Sequence, residues 1–161
     1  MQENYSFIAD SMLGKIARKL RILGFDTIYI LDAEDKKILD LLIQTKRILL
    51  TSDKELFYRA KKYNCRSIFI NKNTEIENLV TIFSNLEIKF IDIKLNSYRC
   101  SICNTKLKTV EDPNTIKNEV YQKVFENNTI FYRCYKCNKL YWSGSHIKNI
   151  SLLIGKINKI L

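Results

Sequence analysis

Long hydrophobic runs are missing from this chain. No apolar stretch approaches the roughly 20 residues that a bilayer crossing needs. The start, Met1–Gln2–Glu3–Asn4, is polar and lacks the basic segment and apolar run of a secretory signal. A cytoplasmic protein is therefore expected. Proline is reduced to one residue, Pro113, and glycine to four in 161, so Pro-rich and Gly-rich linkers are excluded. Histidine is also single, His146. Acidic residues are in deficit: 17 Asp/Glu stand against 27 Lys/Arg, a formal net charge of +10. Five cysteines do not pair evenly, and a reducing cytosol keeps thiols free, which argues against a disulfide framework.

What is present is ordinary for a globular protein: 46% hydrophobic and 27% charged residues, in a length that suits one domain or two small ones. The charge is uneven. Residues 1–96 carry 16 Lys/Arg against 13 Asp/Glu, and residues 97–161 carry 11 against 4. The second part is therefore the more basic, and a polyanion, nucleic acid first, is the partner it favours. A solvated basic surface without a specific partner is the plainer reading.

The organising stretch is Phe7–Ile8–Ala9–Asp10–Ser11–Met12–Leu13–Gly14. Three apolar residues run into an aspartate and a helix begins, so a buried strand delivers a carboxylate to the top of a sheet. Leu13, Ile16, Ala17, Leu20 and Leu23 form one helical face. Lys15, Arg18, Lys19 and Arg21 take the rest of that helix, and Gly24 suits a left-handed cap. Further strands are expected at 27–31, 47–51 and 66–70, with a short final one at 88–91. Helices are expected at 35–44, 54–63 and 75–84, the first with Ile38, Leu41, Leu42 and Thr45 inward, the second with Leu56, Phe57, Ala60 and Tyr63 inward. Strand and helix alternate, which predicts a parallel sheet covered on both faces. In the order 2-1-3-4, the strands ending at Asp10 and Asp53 are neighbours and the switch in order lies at their carboxyl ends. Asp35 opens the helix on the same edge.

Carboxylates that converge repel one another and call for a cation. All-oxygen ligands select Mg²⁺ or Mn²⁺, and such an ion can activate water against a phosphodiester. The reading is a metal-dependent phosphodiesterase with Asp10, Asp35 and Asp53 as ligands and Glu34 or Glu55 as auxiliaries. Against it stands simple capping, because Asp is common at helix starts after strands.

Cys100–Ser101–Ile102–Cys103 and Cys134–Tyr135–Lys136–Cys137 are two CxxC pairs that complete a tetrahedral structural Zn²⁺ site. Asn104 and Asn138, next after each pair, tolerate the positive φ such turns need. Cys65 has no counterpart and reads as a small buried hydrophobe. Residues 110–130, with Pro113 and several Asn, read as a loop or loose hairpin. Tyr141 and Trp142 are candidate base contacts in this basic half, and core packing is the rival reading for its aromatics. His146 reads as a fifth ligand candidate, a general acid/base, a phosphate donor or a surface or structural histidine. The tail, 147–161, is an amphipathic helix that packs on the body or on a partner chain. The division expected is an α/β unit over 1–95 and a zinc ribbon with a helical tail over 96–161.

Together, 7–14 with Ile16–Thr27, Arg47–Asp53, the Arg99–Asn104 knuckle, and Cys134–Cys137 with Tyr141–His146 resemble the Mut7-C RNase domain family. The resemblance implies a PIN-like α/β domain followed by a zinc ribbon, and Mg²⁺/Mn²⁺-dependent RNA hydrolysis by Asp10, Asp35 and Asp53. It also makes RNA the partner, single-stranded or structured, with tRNA and rRNA among the candidates. Lys15, Arg18, Arg21, Tyr141, Trp142 and His146 are then the expected RNA contacts. Ser52 stands where the family reads Arg, and Lys19 where it reads Trp. Two rival functions remain: a non-catalytic RNA- or ribosome-binding module, and a zinc-ribbon adaptor for a protein.

Overall fold

The computed structural model describes residues 5–71, 74–92 and 98–161, and of Ser145 and His146 the helical backbone alone. Four strands, β1 (Ser6–Ala9), β2 (Asp26–Tyr29), β3 (Ile48–Thr51) and β4 (Ser67–Phe69), form a parallel sheet in the order β2-β1-β3-β4. Helices α1 (Gly14–Ile22), α2 (Asp35–Thr45), α3 (Lys54–Lys62) and α4 (Glu75–Asn85) alternate with them. β1 is central, with Ala9 opposite Tyr29 on one side and Leu50 on the other. Because side chains alternate across a strand, each strand feeds two cores. Phe7, Ala9, Ile48 and Leu50 join α1 and α4 in the larger one. Ile8 and Leu49 meet Ile38, Leu39 and Leu42 of α2 and Leu56 and Ala60 of α3 on the opposite face.

The local signals explain the boundaries. A turn of 3-10 helix, Ser11–Leu13, leads into α1. Gly24 ends the helix with φ 94°, a conformation glycine adopts without steric cost. Thr74 and Glu77 form a reciprocal capping box on α4. Two inward assignments shift: Tyr63 is 58% exposed, and Thr45 is exposed with its hydroxyl on the Leu41 carbonyl (2.6 Å).

The second part holds an antiparallel sheet, β5-β6-β7, built from Lys108–Thr109, Phe131–Arg133 and Leu140–Trp142. The segment expected as a loop or loose hairpin is instead helical. A 3-10 helix spans Pro113–Glu119, started by the Asp112 side chain with Pro113 in its first turn. Proline fits there because its missing N–H would be unpaired anyway. The short α5 (Gln122–Glu126) follows. Val110, Ile116 and Phe131 form a small separate core, with Val124, Phe125 and Trp142 packed against it.

The tail is helix α6 (Ser145–Asn158). It returns to the first sheet: Ile150, Ile154 and Ile157 lie in the larger core beside Leu79, Ile82 and Phe83 of α4. The short strand expected at 88–91 does not form. Asn158 supplies what a neighbouring strand would have supplied, accepting from the Ile91 N–H and donating to its carbonyl, both at 2.9 Å. Those backbone groups are thereby satisfied without a ladder.

Candidate active site

β1 ends one residue before Asp10, whose own N–H still bonds to Leu50 of β3 (3.1 Å). The carboxylate is 5% exposed. Its Oδ1 accepts from the Met12 N–H (2.9 Å) and its Oδ2 from the Ser52 N–H (3.0 Å) and the Thr51 hydroxyl. Three neutral donors offset the cost of burying the group. The same Thr51 oxygen accepts from the Asp53 N–H at 2.9 Å. Asp53 is exposed, and its Oδ1 caps α3 by accepting from the Leu56 N–H (3.0 Å). Asp10 and Asp53 therefore sit at the carboxyl ends of adjacent strands, joined through one hydroxyl.

Asp35 opens α2 after β2 but is turned to α3, where its Oδ2 meets Arg59 Nη1 at 2.8 Å. Glu34 and Glu55 are exposed beside the starts of α2 and α3. Among the described residues, the four cysteines are the only group of three or more His, Cys, Asp or Glu whose ligand atoms all lie within 4.8 Å of one another. The three aspartates thus share an edge without being drawn that close. Tyr29, at the end of β2, closes the same edge: its hydroxyl donates to the Ser11 carbonyl (3.0 Å). A Cβ at residue 14 would lie 2.9 Å from that hydroxyl oxygen, so Gly14 permits the approach. Thr51, Tyr29 and Arg59 escaped the sequence reading. A hydroxyl at the end of an apolar strand was the one available hint, for Thr51.

Lys15 and Arg18 are exposed on α1, and Lys19 pairs with Glu75 (3.3 Å). Arg21 requires correction. It is not a surface cation but a buried one, 5% exposed. Its Nε donates to the Thr27 carbonyl (2.8 Å) and its Nη1 to the carbonyls of Ser101 (3.0 Å) and Ile102 (2.8 Å). Burial pulls its pKa down, opposed by the nearby Cys100 and Cys103. Around it, Asn104 donates to Asp26 (2.7 Å) and accepts from the Thr27 N–H (3.1 Å). Asp26 also pairs with Arg47 (2.8 Å) and Arg99 (3.5 Å). The first knuckle is thereby clamped to β2 and the end of α1.

The knuckles repeat one geometry. Asn104 and Asn138 take φ 68° and 62°. Their N–H groups return to the Cys100 and Cys134 carbonyls at 2.9 and 2.7 Å. Cys100 Sγ lies 3.4 Å from Cys137 Sγ, and Cys103 Sγ 3.3 Å from Cys134 Sγ. A tetrahedral shell with Zn–S near 2.3 Å has edges of about 3.8 Å, so this thiol set fits a Zn²⁺ ion after slight expansion. Its titration carries the same message. Burial opposes ionisation of Cys103, but hydrogen bonding with Thr105 and then with Cys134 and Cys100 holds it down at about 6. The Lys139 N–H favours a Cys137 thiolate, yet burial and the other three thiols push it up to about 12. Thiols so crowded ionise together only around a cation.

Tyr141 turns its hydroxyl to the first knuckle, accepting from the Ser101 N–H (3.0 Å) beside Cys100 Sγ (3.1 Å). Burial first, then Cys100, raises its pKa. Trp142 packs on the ribbon core. Both are half-buried, so the core reading describes them better than free base contacts. The His146 side chain lies outside the described residues. Cys65 is half-buried at the edge of the second core.

A parallel 2-1-3-4 α/β sheet with two linked aspartates at its carboxyl edge, followed by a pair of CxxC knuckles on an antiparallel sheet, defines a two-part α/β and Cys₄ class. The chain belongs to the Mut7-C RNAse domain family, whose model matches residues 5–154. No curated protein matches it. Among the described residues, no helix is long and apolar enough to cross a membrane.

Proposed function

We propose that this chain is a divalent-metal-dependent ribonuclease whose centre is the Asp10–Thr51–Asp53 edge. The observation that carries this is the placing of two aspartates at the ends of β1 and β3, the Asp10 carboxylate joined to the Asp53 backbone N–H through the Thr51 hydroxyl, in a chain of an RNase family. The donor set is all oxygen, which suits Mg²⁺ or Mn²⁺. Asp10 and Asp53 would hold the ion, with Asp35 joining after exchange from Arg59, and Glu34 or Glu55 as auxiliaries. Bound there, the ion would polarise the phosphodiester and lower the pKa of a water. The chain's own groups do the rest. Thr51 and Ser52 fix the Asp10 oxygens, and Lys15 and Arg18 offer cations to the RNA backbone at the start of α1. Cys100, Cys103, Cys134 and Cys137 would hold a structural Zn²⁺, which leaves no open coordination position for chemistry.

The test uses zinc-loaded protein and RNA, with Mg²⁺ or Mn²⁺, with chelator, and as the Asp10→Asn and Asp53→Asn variants. Cleavage that needs the ion and is lost in both variants is expected. Cleavage by Asp53→Asn equal to that of wild type would overturn the assignment. The Asp35–Arg59 pair favours a second reading, a non-catalytic RNA- or ribosome-binding module. That reading predicts RNA binding with a steep salt dependence and no metal-dependent cleavage.

A further inference from the structure

The two knuckles share a sequence pattern but not a task. The first is fastened to the α/β unit by Arg21 and Asn104. The second, among the described residues, makes no hydrogen bond to that unit. Its bonds stay within the ribbon, as where Asn138 Oδ1 accepts from Arg133 (2.7 Å), itself paired with Glu119 (2.6 Å). The position after the first cysteine shows the contrast. In one knuckle it is Ser101, tucked under the Tyr141 hydroxyl. In the other it is Tyr135, 64% exposed. Residues 135–139 are all exposed, include Lys136 and Lys139, and contain no acid. From β5, Lys108 brings its ammonium to 5.5 Å from the centre of the Tyr135 ring.

The Tyr135 ring packs in none of the cores of the described residues, and the Lys108 ammonium lies over it. An exposed ring with one ammonium over it and an exposed lysine next in sequence suits a planar base joined to phosphates. We propose that the second knuckle is a stacking site for unpaired RNA bases, with Tyr135 taking the base and Lys108 and Lys136 the flanking phosphates. Unpaired bases are specified because a paired base hides its face within the duplex stack. This rests on the RNA reading given above but is independent of cleavage. It also replaces Tyr141 and Trp142, whose side chains are engaged by the knuckle and the ribbon core, as the ribbon's base contact.

Binding is measured on zinc-loaded protein without added Mg²⁺ or Mn²⁺, using a single-stranded RNA of about ten nucleotides and its blunt duplex. Tyr135→Ala should weaken single-strand binding roughly tenfold, and Tyr135→Phe should keep it. Lys136→Ala should lower the slope of log affinity against log salt by about 0.7. The exposed ring lets Tyr135→Ala fold, which unchanged zinc content and circular dichroism will show. If wild type binds RNA and Tyr135→Ala binds it equally, the stacking site is overturned and the RNA reading stands. An equal loss of duplex binding in Tyr135→Ala overturns the preference for unpaired bases. A wild type that binds neither RNA at low salt overturns both readings and assigns the exposed ring to a protein partner.

Discussion

Replacing Arg21 by methionine should loosen the ribbon from the α/β unit while leaving each core intact. Methionine keeps much of the buried stem, so the change isolates the guanidinium. Three carbonyls lose their donor: Thr27, Ser101 and Ile102, now bonded at 2.8, 3.0 and 2.8 Å. A hydrogen bond to a charged donor contributes about 1.5–3 kcal/mol. The total is less than three such terms, because Ile102 is 58% exposed and water can reach its side of the cluster. Removing the buried charge also relieves its desolvation cost, which trims the loss further. A net loss of about 3 kcal/mol is therefore expected. For a chain of this size it corresponds to a fall in Tm of about 6–12 °C. The assay is urea unfolding of zinc-saturated protein, with zinc release to a chromogenic chelator read in parallel. The variant should release zinc faster, because the Ser101–Ile102 turn between Cys100 and Cys103, two of the proposed ligands, is no longer held. Arg21→Lys should recover little, since an ammonium cannot span three carbonyls as the planar fork does. A loss below about 1 kcal/mol with unchanged zinc release would refute the clamp, since such a value is ordinary for a surface change.

Two further outcomes follow from the same geometry. Burial tends to raise the Asp26 pKa, but its bonds to Arg47 and Asn104 prevail and hold the carboxyl below its usual range. A folded-state pKa below the unfolded one gives stability that is full above pH of about 4 and is lost as pH falls through the folded value. The difference in urea midpoint between wild type and Asp26→Asn should therefore be constant from neutral pH to about 5 and shrink below about 4. A difference unchanged at pH of about 3 would rule the linkage out. Arg59→Ala frees Asp35 from a half-exposed pair that is worth at most about 1 kcal/mol. If Asp35 serves the metal, the Mn²⁺ concentration giving half-maximal cleavage should fall severalfold, with little change in stability. An unaltered Mn²⁺ requirement would show that Asp35 is a partner of Arg59 and no more.

Much of the fold is written in short-range patterns. The run Ile48–Leu50 is apolar without alternation, as a strand with helices on both faces must be, and Ile48–Thr51 is buried throughout. Gly24, Asn104 and Asn138 occupy positive φ where the sequence placed them. The residues that escaped are those whose partners lie far along the chain. Arg21 falls four residues after Ala17, at the border of the buried stripe, and its residue type alone suggests solvent. Its acceptors at 101 and 102 exist only once the knuckle docks. The strand expected at 88–91 fails for a similar reason, because the group that pairs with Ile91 is a side chain 67 residues away. In 110–130, by contrast, the signal is local: Asp112 followed by Pro113 is a helix start, set among asparagines that favour turns.

Capping and metal binding stood as rival readings of the aspartates, and lone pairs show that they are compatible. An ionised carboxylate offers about four acceptor positions. Asp10 commits three, to Met12, Ser52 and Thr51. Asp53 commits one, to Leu56. Asp10 is thus the more rigid of the two and Asp53 the more available. The same count separates the variants. In Asp53→Asn the remaining oxygen still caps α3, so a fall in cleavage reports on the lost charge. In Asp10→Asn the amide nitrogen faces either the Met12 N–H or the Ser52 N–H, and a donor meets a donor. Such an unpaired buried donor costs about 1–3 kcal/mol, so Asp10→Asn should lose stability as well as activity. Equal stability losses in the two variants would contradict this account of the edge, while a loss confined to Asp10→Asn, with cleavage abolished in both, would support it.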